Sequence, residues 1–218
     1  RPNFSSKLAH SDILTYEEIL RLCQILVKLG VKRFKLTGGE PLLRKDSVDF
    51  LQRLKELDGV EQVTLTTNGT MLREQLPSLK TIGIDGINIS LDSCNPKTYA
   101  EITGSDCLNE VLVVIEEAYT LGLPVKINSV PLNNMQLADL LAMLELVKER
   151  NIPLRFIELM PLSCNSELQG LSGETIRKMF GEAGIKLLEE KALLGNGPAV
   201  YYRAEGYAGA IGFIEPLH

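Results

Sequence analysis

Short strand patterns alternate with helical patterns along nearly the whole chain, and this alternation limits the possible folds more than any other feature. Five strand patterns, each followed by a helical pattern, read VKRFKL, EQVTLT, GINISL, PVKINSV and PLRFIEL. Repeated strand–helix units of this length produce a parallel sheet with right-handed crossovers. We therefore predict an α/β fold, an incomplete (partial TIM-like) barrel of parallel strand–helix units, with a flat doubly wound sheet as the alternative.

The pattern changes beyond Ile185. AVYYRAE and GAIGFIE are typical of an antiparallel pair of strands joined through GYAG. No low-complexity tract or linker separates this part from the rest. We predict a partial barrel over residues 1–184 and a C-terminal antiparallel extension over residues 185–218.

Several helix ends are marked by local signals. Thr15 and Glu18 have the spacing of a capping box, so a helix should begin directly after Thr15. Asp46 or Ser47 is expected to cap the helix that contains SVDFLQRLKEL. A later helix is predicted over Leu137–Arg150 from its apolar spacing.

Composition excludes some classes of protein. The 218 residues carry a net charge of −5 with no basic block, which argues against a nucleic-acid surface. No apolar run approaches the length of a membrane span, and we expect a cytoplasmic protein. The cysteines Cys23, Cys94, Cys107 and Cys164 lack metal-clip spacing and are expected to be reduced.

The strands carry polar residues on a face that a parallel sheet normally makes apolar. In VKRFKL, Phe34 and Leu36 share one face, because residues of a strand point alternately to its two sides. The opposite face of the predicted sheet has four cations: Arg33, Lys35, Lys126 and Arg155. Such a cluster favours an anionic, phosphate-bearing ligand. The alternative is internal ion pairing with three carboxylates: Glu40, Asp92 and Glu158.

Polar loops follow three of the strands at their C-terminal ends, where α/β folds place ligands: TGGEP, TTNG and SLD. The glycines of TGGEP allow the backbone to approach a ligand closely. Glu40 could accept a hydrogen bond from a ligand ammonium group. After PLRFIEL, strict alternation would put Arg155 and Glu158 on opposite faces, so a bulge or a strand end is expected between them.

An ordered set of motifs over nearly the whole chain resembles the molybdenum cofactor biosynthesis protein A family. The motifs are LTGGEPLLR, LTTNGT, INISLDS, VKIN, LRFIELMPL, QGLSGE and GNGPAVYYR with GFIEPLH. Members of this family are radical S-adenosylmethionine (SAM) enzymes, the GTP 3′,8-cyclases. The resemblance implies SAM contacts at Gly38, Gly39, Glu40, Ser90 and Met160. It implies GTP contacts at Arg33, Lys35, Thr66, Lys126 and Arg155.

The same resemblance implies the chemistry. In the family an iron–sulfur cluster cleaves SAM, and the 5′-deoxyadenosyl radical takes hydrogen from the GTP ribose. The ribose carbon then joins the guanine ring to give 3′,8-cyclo-7,8-dihydro-GTP, which a second protein converts to cyclic pyranopterin. Two 4Fe–4S clusters are expected in the full-length protein, and no catalytic residue is assigned. The oligomeric state is open, with a homodimer as one possibility.

The chain departs from the family at both cluster motifs, the second of which should lie just beyond the segment that matches GFIEPLH. The family's C-x3-C-x2-C should lie upstream of LAHSDILTYEEI, where Pro2 and Ser6 overlay its first two cysteines. Cluster iron requires thiolates, so this chain by itself is expected to bind no cluster. Three interpretations follow: the core of a longer enzyme, a relative that binds nucleotide without radical chemistry, or an enzyme acting on a phosphorylated metabolite. The last would use Lys126 as a Schiff-base amine or Lys35 as an acid–base group.

Overall fold

The structure is a computed structural model that describes residues 12–160, 168–190 and 197–216. The strands in this part are β1 (Arg33–Leu36), β2 (Gln62–Thr67), β3 (Gly86–Ser90), β4 (Val125–Ser129), β5 (Leu154–Ile157), β6 (Leu187–Glu190), β7 (Val200–Ala204) and β8 (Ile211–Ile214). The helices are α1 (Tyr16–Lys28), α2 (Ser47–Lys55), α3 (Leu76–Thr81), α4 (Pro96–Thr103), α5 (Leu108–Thr120), α6 (Leu137–Glu145) and α7 (Gly173–Glu182).

The sheet has the strand order β1-β2-β3-β4-β5-β8-β7-β6, which leaves it open. Strand β1 pairs with β2 in parallel, as β4 does with β5, and this confirms the predicted α/β class. The predicted antiparallel pair is also confirmed, because β7 and β8 run in opposite directions. Two features were not predicted: β8 pairs in parallel with β5, and β6 adds a further antiparallel strand beside β7.

The chain divides into two compact units by its internal contacts. The first unit comprises the chain up to Asn88 together with Val113–Pro124. The second unit comprises Ile89–Leu112 together with the chain from Val125 onward. The predicted boundary at residue 184, between the partial barrel and the C-terminal extension, is a different division of the chain and stays a prediction. Of the helices described here, none is both long and apolar enough for a membrane span.

In the first unit, helix α2 packs against β2, and α1 packs against α2. Val63 and Leu65 are fully buried there, while the threonines that alternate with them are half-buried. The predicted capping box is present at α1, where the Glu18 N–H donates to Thr15 Oγ1 over 3.2 Å and the Thr15 N–H donates to Glu18 Oε2 over 2.7 Å. The Tyr16 ring at the start of α1 stacks on Phe50 of α2 with centroids 4.5 Å apart.

Two predicted helix ends are wrong. Asp46 precedes α2 with φ 61° and ψ 21°, and its side chain makes no capping hydrogen bond, because capping requires an extended backbone at that position. Helix α6 ends at Glu145 rather than Arg150. The carbonyls of Val147 and Lys148 accept hydrogen bonds from Gly209 and Ala208 instead of from a continuing helix.

The second unit is built around a cluster of aromatic rings. The Phe156 ring lies 6.0 Å from that of Phe180 and 5.9 Å from that of Phe213, measured between centroids. All three side chains are almost completely buried. Strands β5 and β8 thus direct one face into the core, which leaves the alternate residues of these two strands on the opposite face.

Candidate ligand-binding residues

In the first unit, the loop after β1 exposes its backbone at two glycines. Gly38 and Gly39 are exposed, and a Cβ atom added to either would meet no atom within 4 Å. A short 3-10 turn, Pro41–Leu43, follows them. The open space above these glycines fits the close approach of a ligand such as the amino-acid part of SAM.

Glu40 fixes this loop to the neighbouring strand. Its carboxylate accepts hydrogen bonds from the Leu42 N–H at 3.1 Å, the Thr67 hydroxyl at 2.8 Å and the Asn68 N–H at 2.7 Å. An ionised carboxylate can accept about four hydrogen bonds, so these three use most of its capacity. Sequence reasoning missed this role, because the partners at the end of β2 lie 27 and 28 residues away. Contact between Glu40 and SAM stays a prediction.

The predicted nucleotide contacts of the first unit differ in position along their strands. Lys35 is exposed near the C-terminal end of β1, whereas Arg33 is the first residue of that strand. Since a strand rises ~3.3 Å per residue, the two positions are separated by about 7 Å along the strand. Thr66 is half-buried in β2, where its hydroxyl lies 3.4 Å from Asn88 Nδ2. Lys35 and Thr66 therefore lie nearer to the glycine loop than Arg33 does.

In the second unit, a cation on β5 is held by a neutral side chain of β4. Arg155 Nε donates to Asn128 Oδ1 over 2.7 Å, and these residues are register partners. Burial lowers the pKa of Arg155 from its ordinary value. Arginine remains charged at neutral pH despite such a change. The predicted Lys126 is half-buried in β4, two residues before Asn128.

The remaining predicted residues of the second unit lie at strand ends. Ser90 is the last residue of β3 and is half-buried. Strand β5 ends at Ile157, so a strand end does separate Arg155 from Glu158. Met160, three residues beyond that strand, is exposed. The Asp92 carboxylate accepts a hydrogen bond from the Val130 N–H at 2.9 Å, which holds the loop after β3.

The described residues do not fit an iron–sulfur cluster. Within residues 12–160, 168–190 and 197–216, no three His, Cys, Asp or Glu side chains are grouped so that they could hold a metal ion. Cys23, Cys94 and Cys107 are free thiols. Cys164, also predicted to be reduced, lies outside the described residues. We assign no chemical step to a cluster on these residues.

The Cys94 thiol is expected to react very slowly with alkylating reagents. Burial raises the pKa of this thiol to about 12, and its sulfur contacts the Met143 sulfur at 3.3 Å. At pH 8 its thiolate fraction should be about a thousandfold below that of an ordinary cysteine with pKa ~8.5. Iodoacetamide labelling followed by peptide mass spectrometry tests this, with the urea-unfolded chain as the control. Equal labelling rates in the two states would contradict the prediction.

The family model of the radical SAM superfamily matches residues 3–147, which is more than half of the 218 residues. The chain belongs to the radical SAM superfamily. This agrees with the sequence motifs and with the glycine loop that follows β1.

Similarity to curated proteins extends over nearly the whole chain. A GTP 3′,8-cyclase from Clostridium perfringens is 36% identical over 209 residues, covering 95% of this chain and 65% of the relative. A GTP 3′,8-cyclase from Limosilactobacillus fermentum is 37% identical over 209 residues, covering 94% of this chain and 63% of the relative. The chain thus spans slightly less than two thirds of the length of these relatives.

A solved structure supports the fold. Streptococcus suis SuiB, crystallised with S-adenosylmethionine, superposes with a TM-score of 0.66 at 14% identity, covering 94% of this chain and 42% of SuiB. At this identity the likeness shows the fold alone. It confirms the predicted α/β fold.

Proposed function

We propose that this chain forms the SAM-binding and nucleotide-binding part of a GTP 3′,8-cyclase, which converts GTP to 3′,8-cyclo-7,8-dihydro-GTP in molybdenum cofactor biosynthesis. The observation that carries the proposal is the half-buried Arg155 guanidinium, whose Nε donates to Asn128 Oδ1 over 2.7 Å. This bond orients the guanidinium, and an oriented arginine suits phosphate because its planar fork of donors matches phosphate oxygens. The relatives that match most of the chain carry this activity in their names.

SAM is proposed to bind at the loop after β1. The exposed backbone of Gly38 and Gly39 would receive its methionine part, since no side chain occupies the space above them. Glu40 would act by holding the loop in place through its three hydrogen bonds. Ser90 and Met160 are proposed as further SAM contacts.

GTP is proposed to bind along the polar strand residues. Lys35, Thr66 and Lys126 would contact the nucleotide, and Arg33 and Arg155 would lie beside its triphosphate. Lysine supplies a point charge and arginine a planar fork of donors, and both suit phosphate oxygens. In the whole protein, a 4Fe–4S cluster held by cysteines other than those described here would supply the electron for SAM cleavage, and the residues described here would only bind and orient SAM and GTP.

Other parts of the proposal concern partners. A second enzyme would convert the cyclised nucleotide to cyclic pyranopterin, and a homodimer is the assembly to test first. We also propose a cytoplasmic location, because GTP and SAM are both intracellular metabolites. Size-exclusion chromatography with light scattering tests the assembly.

The whole protein, reconstituted with iron and sulfide under anaerobic conditions, is expected to convert SAM to 5′-deoxyadenosine in the presence of GTP. Liquid chromatography with mass spectrometry would detect both 5′-deoxyadenosine and the cyclised nucleotide. Binding of SAM and GTP without SAM cleavage would favour the binding-only interpretation. Uncoupled SAM cleavage with no change in GTP would contradict the proposed substrate.

Lys126→Ala is expected to weaken GTP binding about 10- to 100-fold, because a charge-assisted contact to phosphate is lost. Isothermal titration of the whole protein with GTP would measure the change. Lys97→Ala provides a matched control, since Lys97 is exposed in the first turn of α4. An unchanged dissociation constant for Lys126→Ala would contradict the placement of this side chain.

A further inference from the structure

In the first unit, a cavity of about 630 Å³ lies between the start of α2 and helix α3. Residues 44–49 line one side of it, and Gln75, Ser78 and Thr81 lie on the other side. Its volume is within the range of about 300–1,000 Å³ that is typical of small-molecule sites. Of the described residues, none that is proposed above to contact SAM or GTP lines this cavity. The cavity is therefore a candidate for a separate binding site.

Helix α2 begins at this cavity without a side-chain cap, because the Asp46 side chain forms no capping hydrogen bond. The Ser47 N–H donates to the Arg44 carbonyl over 3.2 Å. Within residues 12–160, 168–190 and 197–216, the next two N–H groups, those of Val48 and Asp49, have no acceptor. Unpaired N–H groups and the helix dipole give the start of a helix a partial positive charge. Two backbone donors are thus available to an anion in the cavity.

The Ser47 side chain independently indicates a ligand at the same place. Ser47 is only 5% exposed, and it lines the cavity. Its hydroxyl forms no hydrogen bond with the described part of the chain. The hydroxyl is not enclosed by protein either, because in that part of the chain the fully enclosed side-chain oxygen without a partner is Tyr16 Oη. A largely buried hydroxyl without a partner costs free energy, and a ligand in the cavity would satisfy it.

The charged side chains around the cavity do not by themselves select the sign of a ligand. Arg44 and Lys45 are balanced by Asp46 and Asp49, and Asp49 Oδ2 also lies 3.8 Å from Arg53 Nη1. The unpaired groups decide the sign, because an N–H can only donate and a hydroxyl can donate as well as accept. Three donors at a helix start suit a ligand group with several acceptor oxygens and negative charge.

We propose that the start of α2 binds the phosphate group of a small molecule through the N–H groups of Val48 and Asp49 and the Ser47 hydroxyl. A phosphate group offers three acceptor oxygens, which matches the three donors. Inorganic phosphate and a phosphate monoester share this chemistry, and the cavity has room for the organic part of an ester beside α3. The inference goes beyond the proposed function, since it requires neither SAM nor GTP.

Selective labelling of the whole protein with 15N-valine gives a readout at the site itself. Inorganic phosphate should produce a saturable shift of the Val48 amide signal, which is assigned by its loss in Val48→Ile. The Val63 signal is the internal control and should not move, because its N–H donates to Asp85 Oδ2 over 2.7 Å and its side chain is fully buried. Chloride at the same ionic strength should shift neither signal. No saturable shift of Val48 with phosphate would overturn the inference and leave the proposed function untouched.

Ser47→Ala removes the hydroxyl and should weaken phosphate binding at Val48 about tenfold, because a hydrogen bond to a charged acceptor is lost. GTP affinity should stay unchanged. Ser78→Ala is the matched control, since Ser78 is an exposed serine on the opposite side of the same cavity. It should leave phosphate binding unchanged. Equal phosphate binding by Ser47→Ala and the unmodified protein, or equal weakening by the two variants, would overturn the assignment to the start of α2.

Asp49→Asn tests the sign of the ligand charge. Removing a carboxylate beside the site should strengthen phosphate binding about fivefold, because a like charge a few ångströms away repels the anion. Weaker phosphate binding by this variant would contradict an anion site.

Two further titrations identify the source of the phosphate group. Tighter binding of glycerol phosphate than of inorganic phosphate would support a monoester as the ligand, and equal binding would support free phosphate. With the protein saturated with GTP, phosphate should still shift the Val48 signal. If GTP abolished this response, the phosphate site would belong to the nucleotide, and the inference of a separate site would be overturned.

Discussion

Glu40→Ala is expected to lower the free energy of unfolding by about 3 kcal/mol and to weaken SAM binding about tenfold. The carboxylate accepts from the Leu42 N–H, the Thr67 hydroxyl and the Asn68 N–H. Hydrogen bonds to a charged acceptor contribute about 1.5–3 kcal/mol each, and alanine would leave all three donors without this partner. Water can replace part of the loss because the site is half-buried, so the expected total is smaller than the sum.

SAM binding should weaken because the same three hydrogen bonds hold the glycine loop after β1. Glu40 directly follows Gly39, and its contacts connect the loop after β1 to the end of β2. Without them the exposed glycine backbone would sample more conformations, and SAM would have to order it on binding. The cost of that ordering appears as lower affinity.

Urea titration followed by far-UV circular dichroism measures the stability, since the chain has no tryptophan to report on unfolding. Glu40→Gln should fall between wild type and alanine, because its oxygen can replace Oε1 while its NH2 group faces the Asn68 N–H donor. Glu61→Ala is the control: its ion pair with Lys32 is exposed, and exposed pairs contribute little to stability. An unfolding midpoint of Glu40→Ala as high as that of Glu61→Ala would contradict the structural role.

The order of local elements could be predicted from sequence because it depends on neighbours in the chain. Apolar residues alternate in β2 and β4, and burial follows the same alternation in the structure. The capping box at Thr15 and Glu18 depends on residues three positions apart, and it formed as predicted. Such patterns report which side of an element is buried.

Pairings between residues that are far apart in the chain could not be predicted from local sequence patterns. Periodicity does not say that β8 lies in parallel beside β5, because this pairing joins residues that are far apart in the chain. The partners of Glu40 depend on the neighbouring strand, and a carboxylate in a glycine loop gives no sign of them. Gly212 looked like an ordinary strand glycine until its register between Arg155 and Tyr201 was known.

Arg155 shows both what the sequence could predict and what it could not. Alternation correctly predicted that Arg155 would be on the face opposite Phe156, whose ring is buried in the aromatic core. It did not predict that Asn128 would accept a hydrogen bond from the guanidinium, because the alternative considered was pairing with Glu40, Asp92 or Glu158. In the described part of the chain, the Glu40 hydrogen bonds go to two backbone amides and a hydroxyl.

Gly39→Val is expected to raise the dissociation constant for SAM at least about 100-fold while leaving the free energy of unfolding nearly unchanged. The two effects separate because Gly39 lacks a positive φ and its added Cβ would meet nothing within 4 Å. The folded chain can therefore accept the side chain. The valine would occupy the space into which the methionine part of SAM is proposed to bind, and overlap with a ligand cannot be relieved by small movements.

Side chains of increasing size at position 39 should weaken SAM binding progressively. Gly39→Ala should weaken SAM binding less than Gly39→Val, because its single methyl group fills less of the space. GTP affinity should change little in either variant if the nucleotide contacts the strand residues rather than this loop. Isothermal titration of the whole protein with SAM and with GTP would give both affinities.

Gly181→Val is the matched control for the same substitution elsewhere. Gly181 is exposed in α7, and a Cβ added there also meets no atom within 4 Å. Its replacement should leave SAM and GTP binding unchanged. Wild-type SAM affinity in a folded Gly39→Val variant would place the ligand elsewhere. A large loss of stability in that variant would instead mean that the loop after β1 is more closely packed than its exposed glycines show.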